Sequence, residues 1–338
     1  MNTTTCVSAS CVFAPRDHPG DILSYKVYLT VLFVLQCVIE PVVVVVGVPS
    51  NIISCVVFWR QGLGDRMNVC LLALSLVDLC LLLVSMVFSV VYYLGQVDPV
   101  KYGGLYDLLL ASFTGVCLGF RSASGCITMV IAIERCLCVL FPLKAASLIS
   151  SFNMAVIMVC IVCLNHLAFL VVPAKFKVVR VNNSSSETAI SLSDFYINAG
   201  LFVDILENIV MMSVLPLTTF VVTCLSTCLT VVKLRAAMTW RGQTSSSNEK
   251  GQGRHTTLTK MLVIVSCVYI LTTIPWVVFF VAMLVVDGFS SRGRYYNFYW
   301  ASAQIAIYLS YMNCSLGFYV YFNRSTRFRR DVFTLFGC

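Results

Sequence analysis

The chain has 338 residues, 59% of them hydrophobic and only 11% charged, with a mean hydropathy of +0.89. That composition excludes an ordinary soluble domain and points to a protein solvated by lipid. The formal charge of +8 is a topology signal and a match to an anionic inner leaflet, so it argues for membrane lipid and against nucleic acid as a partner. A helix crossing the hydrocarbon core needs about 20 mostly apolar residues. Seven stretches meet this, near 29–59, 68–95, 106–140, 152–174, 200–234, 259–286 and 296–322. Their short connections predict one all-α membrane domain, a seven-transmembrane helix bundle over 29–322. It is preceded by an extracellular segment, 1–28, and followed by a short amphipathic cytoplasmic helix and tail, 323–338.

The opening "MNTTTCVSAS" lacks the basic start and apolar core of a signal peptide. Lys and Arg near the span ends divide 14 against 8, with Arg121 inside span three completing the 23. The richer side is assigned to the cytoplasm, which puts the N-terminus outside and the C-terminus inside. The acceptor sites at Asn2, Asn182 and Asn183 then fall outside and are expected to be glycosylated. Most of the 17 cysteines lie within spans as small apolar residues, leaving Cys6 and Cys11 free to pair outside.

Polar groups inside hydrocarbon need a partner or a task. Along the chain they are Glu40 and Asn51 in span one, Asp78 in span two, and a stripe in span three. That stripe is Cys117, Arg121, Ser124, Thr128, Ile131 and Arg135, spaced four and three apart and so on one helix face. It must face the bundle, because Arg121 cannot face lipid. Asp107, Asp204 and Glu207 mark outer ends, either attracting a basic peptide or standing as solvated rim charges. Alternation in "KFKVVRVNNSSSETAISL" predicts a hairpin turning at Asn182-Asn183. Pro216 and Pro275 interrupt spans five and six. Residues 236–256 form the third inner loop, whose "RGQTSSSNEKGQGRH" reads as a flexible linker with phosphorylation candidates Thr244 to Ser247. "NRSTRFRRDVF" follows span seven as a helix lying on the inner leaflet, and Cys338 ends the chain either palmitoylated or unmodified.

These motifs together resemble the rhodopsin-like (class A) G-protein-coupled receptors across nearly the whole chain. The Gly-x-x-x-Asn of span one is Gly47 to Asn51, the Leu-x-x-x-Asp of span two is Leu74 to Asp78, and "ERCLCVLFPL" matches Asp/Glu-Arg-Tyr with Cys136 for Tyr. The prolines are Pro216 and Pro275, and Asn-Pro-x-x-Tyr aligns with Gly317 to Tyr321. "VVFWRQGLGDRMNVCLLALSLVDL" also resembles invertebrate peptide-type and molluscan chemosensory-type receptors. The chain departs from the family at Leu110, where span three usually has a Cys, and in a Pro173–Asn198 loop with no Cys to pair it. It departs again at Thr273 for Trp in span six, at Cys224 for Tyr in span five, and in a fourth span without its Trp.

The resemblance implies a plasma-membrane receptor that binds an extracellular peptide or small chemosensory ligand and activates a heterotrimeric G protein. Arrestin and a receptor kinase are further partners. It implies no cofactor beyond an internal sodium ion at Asp78, Ser124 and Asn313; a hydrogen-bonded Asp78–Asn51 contact is the alternative there. It makes Glu134, Arg135 and Tyr321 the coupling switch, against an ordinary snorkelling pair at a helix end. Glu40, Cys117, Arg121, Thr273, Gln304, Tyr308 and Tyr311 become one ligand cavity, in which Arg121 meets either an anionic ligand group or Glu40. Cys117 stands where amine receptors carry Asp, which argues against an amine ligand.

An enzyme is excluded on distance. "GLGD" at 62–65 and "YD" at 106–107 resemble intramembrane aspartyl protease motifs. They occur in the wrong order and lie about 30 Å of hydrocarbon apart, whereas paired catalytic carboxylates share a proton at contact. His18, His166 and His255 have no metal-ligand spacing. A seven-span transporter or channel, and a receptor-like protein that no longer couples, stand as alternatives.

Overall fold

Most of the helices begin where the sequence supplies side-chain caps for amides that have no partner in the first turn. Asp65 accepts from the Met67 amide at 2.9 Å, Asp98 from Lys101 at 3.1 Å, Ser150 from Asn153 at 3.1 Å, Ser193 from Tyr196 at 3.1 Å and Ser325 from Phe328 at 3.2 Å. The computed structural model describes residues 20–141, 149–180, 188–243, 250–291 and 293–337. Helix α1 is Tyr25–Arg60, α2 Arg66–Val97, α3 Pro99–Leu140 and α4 Ser151–Ala174. Strands β1, Phe176–Arg180, and β2, Thr188–Leu192, pair antiparallel with Phe176 opposite Leu192 and Arg180 opposite Thr188. Helix α5 joins Asp194–Asp204, Ile205–Val214 and Leu215–Gln243; α6 is Lys250–Val285, α7 Tyr296–Arg324 and α8 Thr326–Phe336. Helices α1 to α7 are each long and apolar enough to cross a membrane, which makes this a multi-pass bundle with a short terminal helix, as the sequence predicts.

Two π-helical segments have a common cause. Leu35–Ile39 and Ile205–Val214 are π-helical, and they precede Pro41 and Pro216. A proline brings no N–H to the preceding turn and its ring crowds that turn's carbonyl; widening the turn relieves both. Two expectations are corrected at the boundaries. Helix α3 starts at Pro99 behind its Asp98 cap, so Asp107 lies within the helix rather than outside it. The loop read as a flexible linker is helical on both flanks, to Gln243 and from Lys250. Extending a formed helix gains a hydrogen bond per residue with no new nucleus. Thr244 to Ser247 lie outside the described residues, as do Asn2, Asn182, Asn183, Cys6, Cys11 and Cys338.

The larger core holds Phe58, Met67, Leu74, Ile127, Ile131, Met158 and Leu262 toward the Glu134 end of the bundle. Helix α8 closes it. Phe328 is buried against Phe58 (5.2 Å between ring centres) and Tyr321 (5.7 Å), while Phe333 and Phe336 stay exposed for lipid. Gly337 ends α8 at φ 73° in the left-handed cap conformation.

Gly47 shows why its motif needs a glycine. A Cβ there would stand 2.5 Å from Leu82 Cδ1 and still closer to Ser315 Oγ. One turn on, Asn51 donates to the Cys314 carbonyl at 2.9 Å, and Ser315 donates to Val43 at 3.1 Å. Gly47→Val is therefore expected to push α1 off α7 and cost about 1–3 kcal/mol, as overpacking does. A detergent-solubilised variant melting at the parent temperature would refute the close approach.

Candidate functional site

At the end of α3, Glu134 is shared between two guanidiniums. Arg135 donates from Nε to Oε2 at 2.5 Å, and its Nη2 contacts the same oxygen. Arg66, at the start of α2, reaches Oε1 at 3.3 Å and donates to the Ile149 carbonyl at 3.3 Å. The Cys138 thiol also donates to Oε1, at 3.4 Å. Side chains of Glu134 and Arg135 are 5% and 7% exposed, against 20% for Arg66. One desolvated carboxylate thus neutralises half of two positive charges. Removing it leaves a buried charge without a partner. Arg66 entered the sequence reading only as a topology charge, because periodicity within one helix cannot show a partner from another. Tyr321 lies apart, packed edge-on to Phe58 at 5.3 Å in the seam of α1, α7 and α8.

One layer deeper, Asp78 accepts from Ser124 Oγ at 2.6 Å, while the Cys314 thiol donates to the Ser310 carbonyl at 3.3 Å. Asn51 is not its partner. The Asn51 amide donates to the Gly47 and Cys314 carbonyls at 3.0 and 2.9 Å, which corrects the expected Asp78–Asn51 contact. Both residues nonetheless join helices, Asn51 to α7 and Asp78 to α3.

A cavity of about 60 Å³ opens between α3, α5, α6 and α7, lined by Arg121, Ser124, Thr219, Thr273, Trp276 and Asn313 among others. Arg121 stacks its guanidinium 4.3 Å from the centre of the Trp276 ring and donates to Met212 Sδ at 3.7 Å. Trp276 in turn donates its indole N–H to the Met212 carbonyl at 3.2 Å. That carbonyl lies four residues before Pro216, which offers it no N–H. Below the stack, Tyr269 and Thr219 share a hydrogen bond of 2.9 Å between α6 and α5. Trp276 and Tyr269 were missed; the aromatic one place past Pro275 was the available signal.

The residues expected to share one ligand cavity separate into a cavity lining and a packed layer. Arg121 and Thr273 line the space just described. Cys117, Tyr308 and Tyr311 pack with Val43, Leu81 and Leu82, and Glu40 is 2% exposed beside the hydroxyls of Ser85 and Tyr308. Gln304 is half-buried on α7. The expected Arg121–Glu40 salt bridge is absent, because Arg121 turns toward α5 and α6 while Glu40 turns toward α2 and α7. One Glu40 oxygen and one Gln36 oxygen are buried without hydrogen bonds.

At the hairpin end the reading of Glu207 as a solvated rim charge is corrected, while Asp204, 45% exposed, keeps its place at the rim. Lys175 pairs with Asp204 at 3.4 Å and with Glu207 more closely, and the Lys175 and Glu207 side chains are only 13% and 14% exposed. Lys175 directly precedes β1, so the pairing ties the hairpin to α5. A second strap crosses the bundle mouth, where Asp21 accepts from the Asn297 amide at 2.7 Å and Arg294 donates to the Gly20 carbonyl at 3.2 Å.

Comparison with protein families matches residues 50–321 to the 7 transmembrane receptor (rhodopsin family). Comparison with curated proteins gives no match.

Proposed function

The chain belongs to the rhodopsin family of seven-transmembrane receptors, and on that premise we propose that it binds an extracellular ligand and activates a heterotrimeric G protein. Proteins of this family are in general receptors without enzymatic activity. The observation that carries the reading is Glu134 held between Arg135 and Arg66. Such a cluster has two arrangements, acid-bound and released, and a ligand need only bind one of them better. In the resting arrangement Arg135 is tied down; in the active one it meets the G protein. Tyr321 anchors the inner end of α7 against α1 and α8 rather than touching Arg135.

The ligand is a peptide or a small chemosensory molecule entering at the hairpin end. Arg121 and Thr273 line its inner end, while Glu40, Cys117, Tyr308 and Tyr311 form a packed layer beside it that would have to open for a ligand to touch them, with Gln304 half-buried above. The N-terminal segment and the sequons Asn2, Asn182 and Asn183 are assigned outside the plasma membrane. The third loop, α8 and Cys338 are assigned to the cytoplasm, where a receptor kinase and arrestin would act on Thr244 to Ser247. A peptide and small-metabolite screen with a promiscuous Gα tests the proposal, followed by GTP exchange on purified Gα. At least one ligand is expected to drive exchange, and Arg135→Ala to abolish it. Solute flux without exchange would make the protein a transporter. Basal and evoked signals both indifferent to Arg135→Ala would make it a receptor that no longer couples.

A further inference from the structure

The cavity at Arg121 lies where the family resemblance implies a sodium ion, and its residues do not fit a cation. Asp78, the acid such a site requires, does not line the cavity; it sits behind Ser124, already supplied with that residue's hydroxyl as donor. Among the described residues that line the cavity, Arg121 alone is charged. A guanidinium cannot shed its proton to escape desolvation, so inside a membrane bundle it calls for a counter-charge. Arg121 has only soft partners, a ring face and a thioether sulphur. No carboxylate among the described residues lies within ion-pair distance of it. Asn313 brings its side chain to the same space, and that amide makes no hydrogen bond to any described residue.

We propose that this cavity binds a small monovalent anion, a halide or a carboxylate of formate or acetate size, between Arg121 and Asn313. Volume sets the size limit. About 60 Å³ is several times the roughly 10–15 Å³ that a single water needs, which leaves room for one small anion, and it falls far short of the roughly 300–1,000 Å³ of a pocket for drug-sized ligands. The guest takes the open edge of the guanidinium, since Trp276 covers one face and Met212 one N–H. Bound there, it neutralises the charge that joins α3 to α5 and α6. The inference concerns binding alone and does not depend on coupling to a G protein.

The test is thermal unfolding of the purified full chain in detergent, in potassium chloride, bromide, formate or acetate against potassium gluconate at constant ionic strength. The melting temperature is expected to rise saturably with the small anion. Arg121→Met should abolish the rise, and Asn313→Leu should raise the apparent Kd on the order of tenfold, the effect of one lost charge-assisted contact. Should Arg121→Met fail to fold, the Asn313→Leu shift decides the matter alone. Stabilisation by halides assigns a free inorganic ion; stabilisation by formate and acetate only assigns the carboxylate end of an organic ligand. Either upholds the site. A melting temperature indifferent to the anion, an unchanged response in Asn313→Leu and Arg121→Met, or stabilisation by sodium over potassium that is lost in Asp78→Asn would overturn it.

Discussion

Glu134→Gln is expected to raise basal GTP exchange several-fold and to lower the melting temperature of the purified protein. Glutamine keeps the shape of the acid and removes its charge, so Arg135 and Arg66 are left facing each other around a neutral amide. Breaking a buried pair by removing one partner costs about 3–5 kcal/mol. The two arginines do not share that cost equally. Arg66, 20% exposed and bonded to the Ile149 carbonyl, can turn toward water. Arg135, 7% exposed, is relieved only by leaving its resting position. Every ~1.4 kcal/mol by which the resting state alone is raised moves the equilibrium tenfold toward the released state. Glu134→Gln combined with Arg66→Met removes one of the two stranded charges and is expected to recover part of the lost stability. A Glu134→Gln protein with parental basal exchange and melting temperature would show that the cluster is no latch.

The spans, the hairpin and the terminal helix were readable because each is a one-dimensional pattern: apolar length, alternation, or aromatic residues spaced among arginines. The inward face of α3 was readable too, since Ser124, Thr128, Ile131 and Arg135 repeat at helical spacing and are all buried. What the sequence concealed was partnership between helices. Arg121 and Glu40 matched in depth and opposite charge, yet they project to different sides of the bundle. The rotation of a helix about its axis is set by packing against its neighbours, and one helix's sequence carries little of it. Arg66 with Glu134, and Lys175 with Glu207, were invisible for the same reason. The π-helical turns escaped because a proline marks where a helix must adjust without saying how. Missing family residues were legible as absences, but the sequence did not show what replaces them. The hairpin is held to α5 by an ion pair, and an aromatic one residue beyond Pro275 takes up the contact with α3.

That aromatic carries the second large effect. Trp276→Phe keeps a ring for Arg121 but removes the indole N–H from the Met212 carbonyl. An orphaned buried carbonyl costs about 1–3 kcal/mol, and the weaker ring face gives up part of a cation–π contact worth about 0.5–2 kcal/mol. The carbonyl term can be isolated, because its cause lies in Pro216. Alanine at position 216 would return a backbone N–H to the turn that contains Met212, giving the carbonyl a donor on its own helix. Trp276→Phe should then cost measurably less in a Pro216→Ala background than in the parent, and the difference is the coupling energy of a double-mutant cycle. Equal costs in both backgrounds would show that the indole does not stand in for the missing amide. A smaller cost with Pro216→Ala would establish that α5 and α6 are joined through a bond that the proline itself created. Agonist efficacy measured on the same four proteins then reads whether that joint transmits: loss with Trp276→Phe that Pro216→Ala does not restore would place the signal in the Arg121–Trp276 stack, since the alanine repairs the carbonyl and leaves the stack unrepaired.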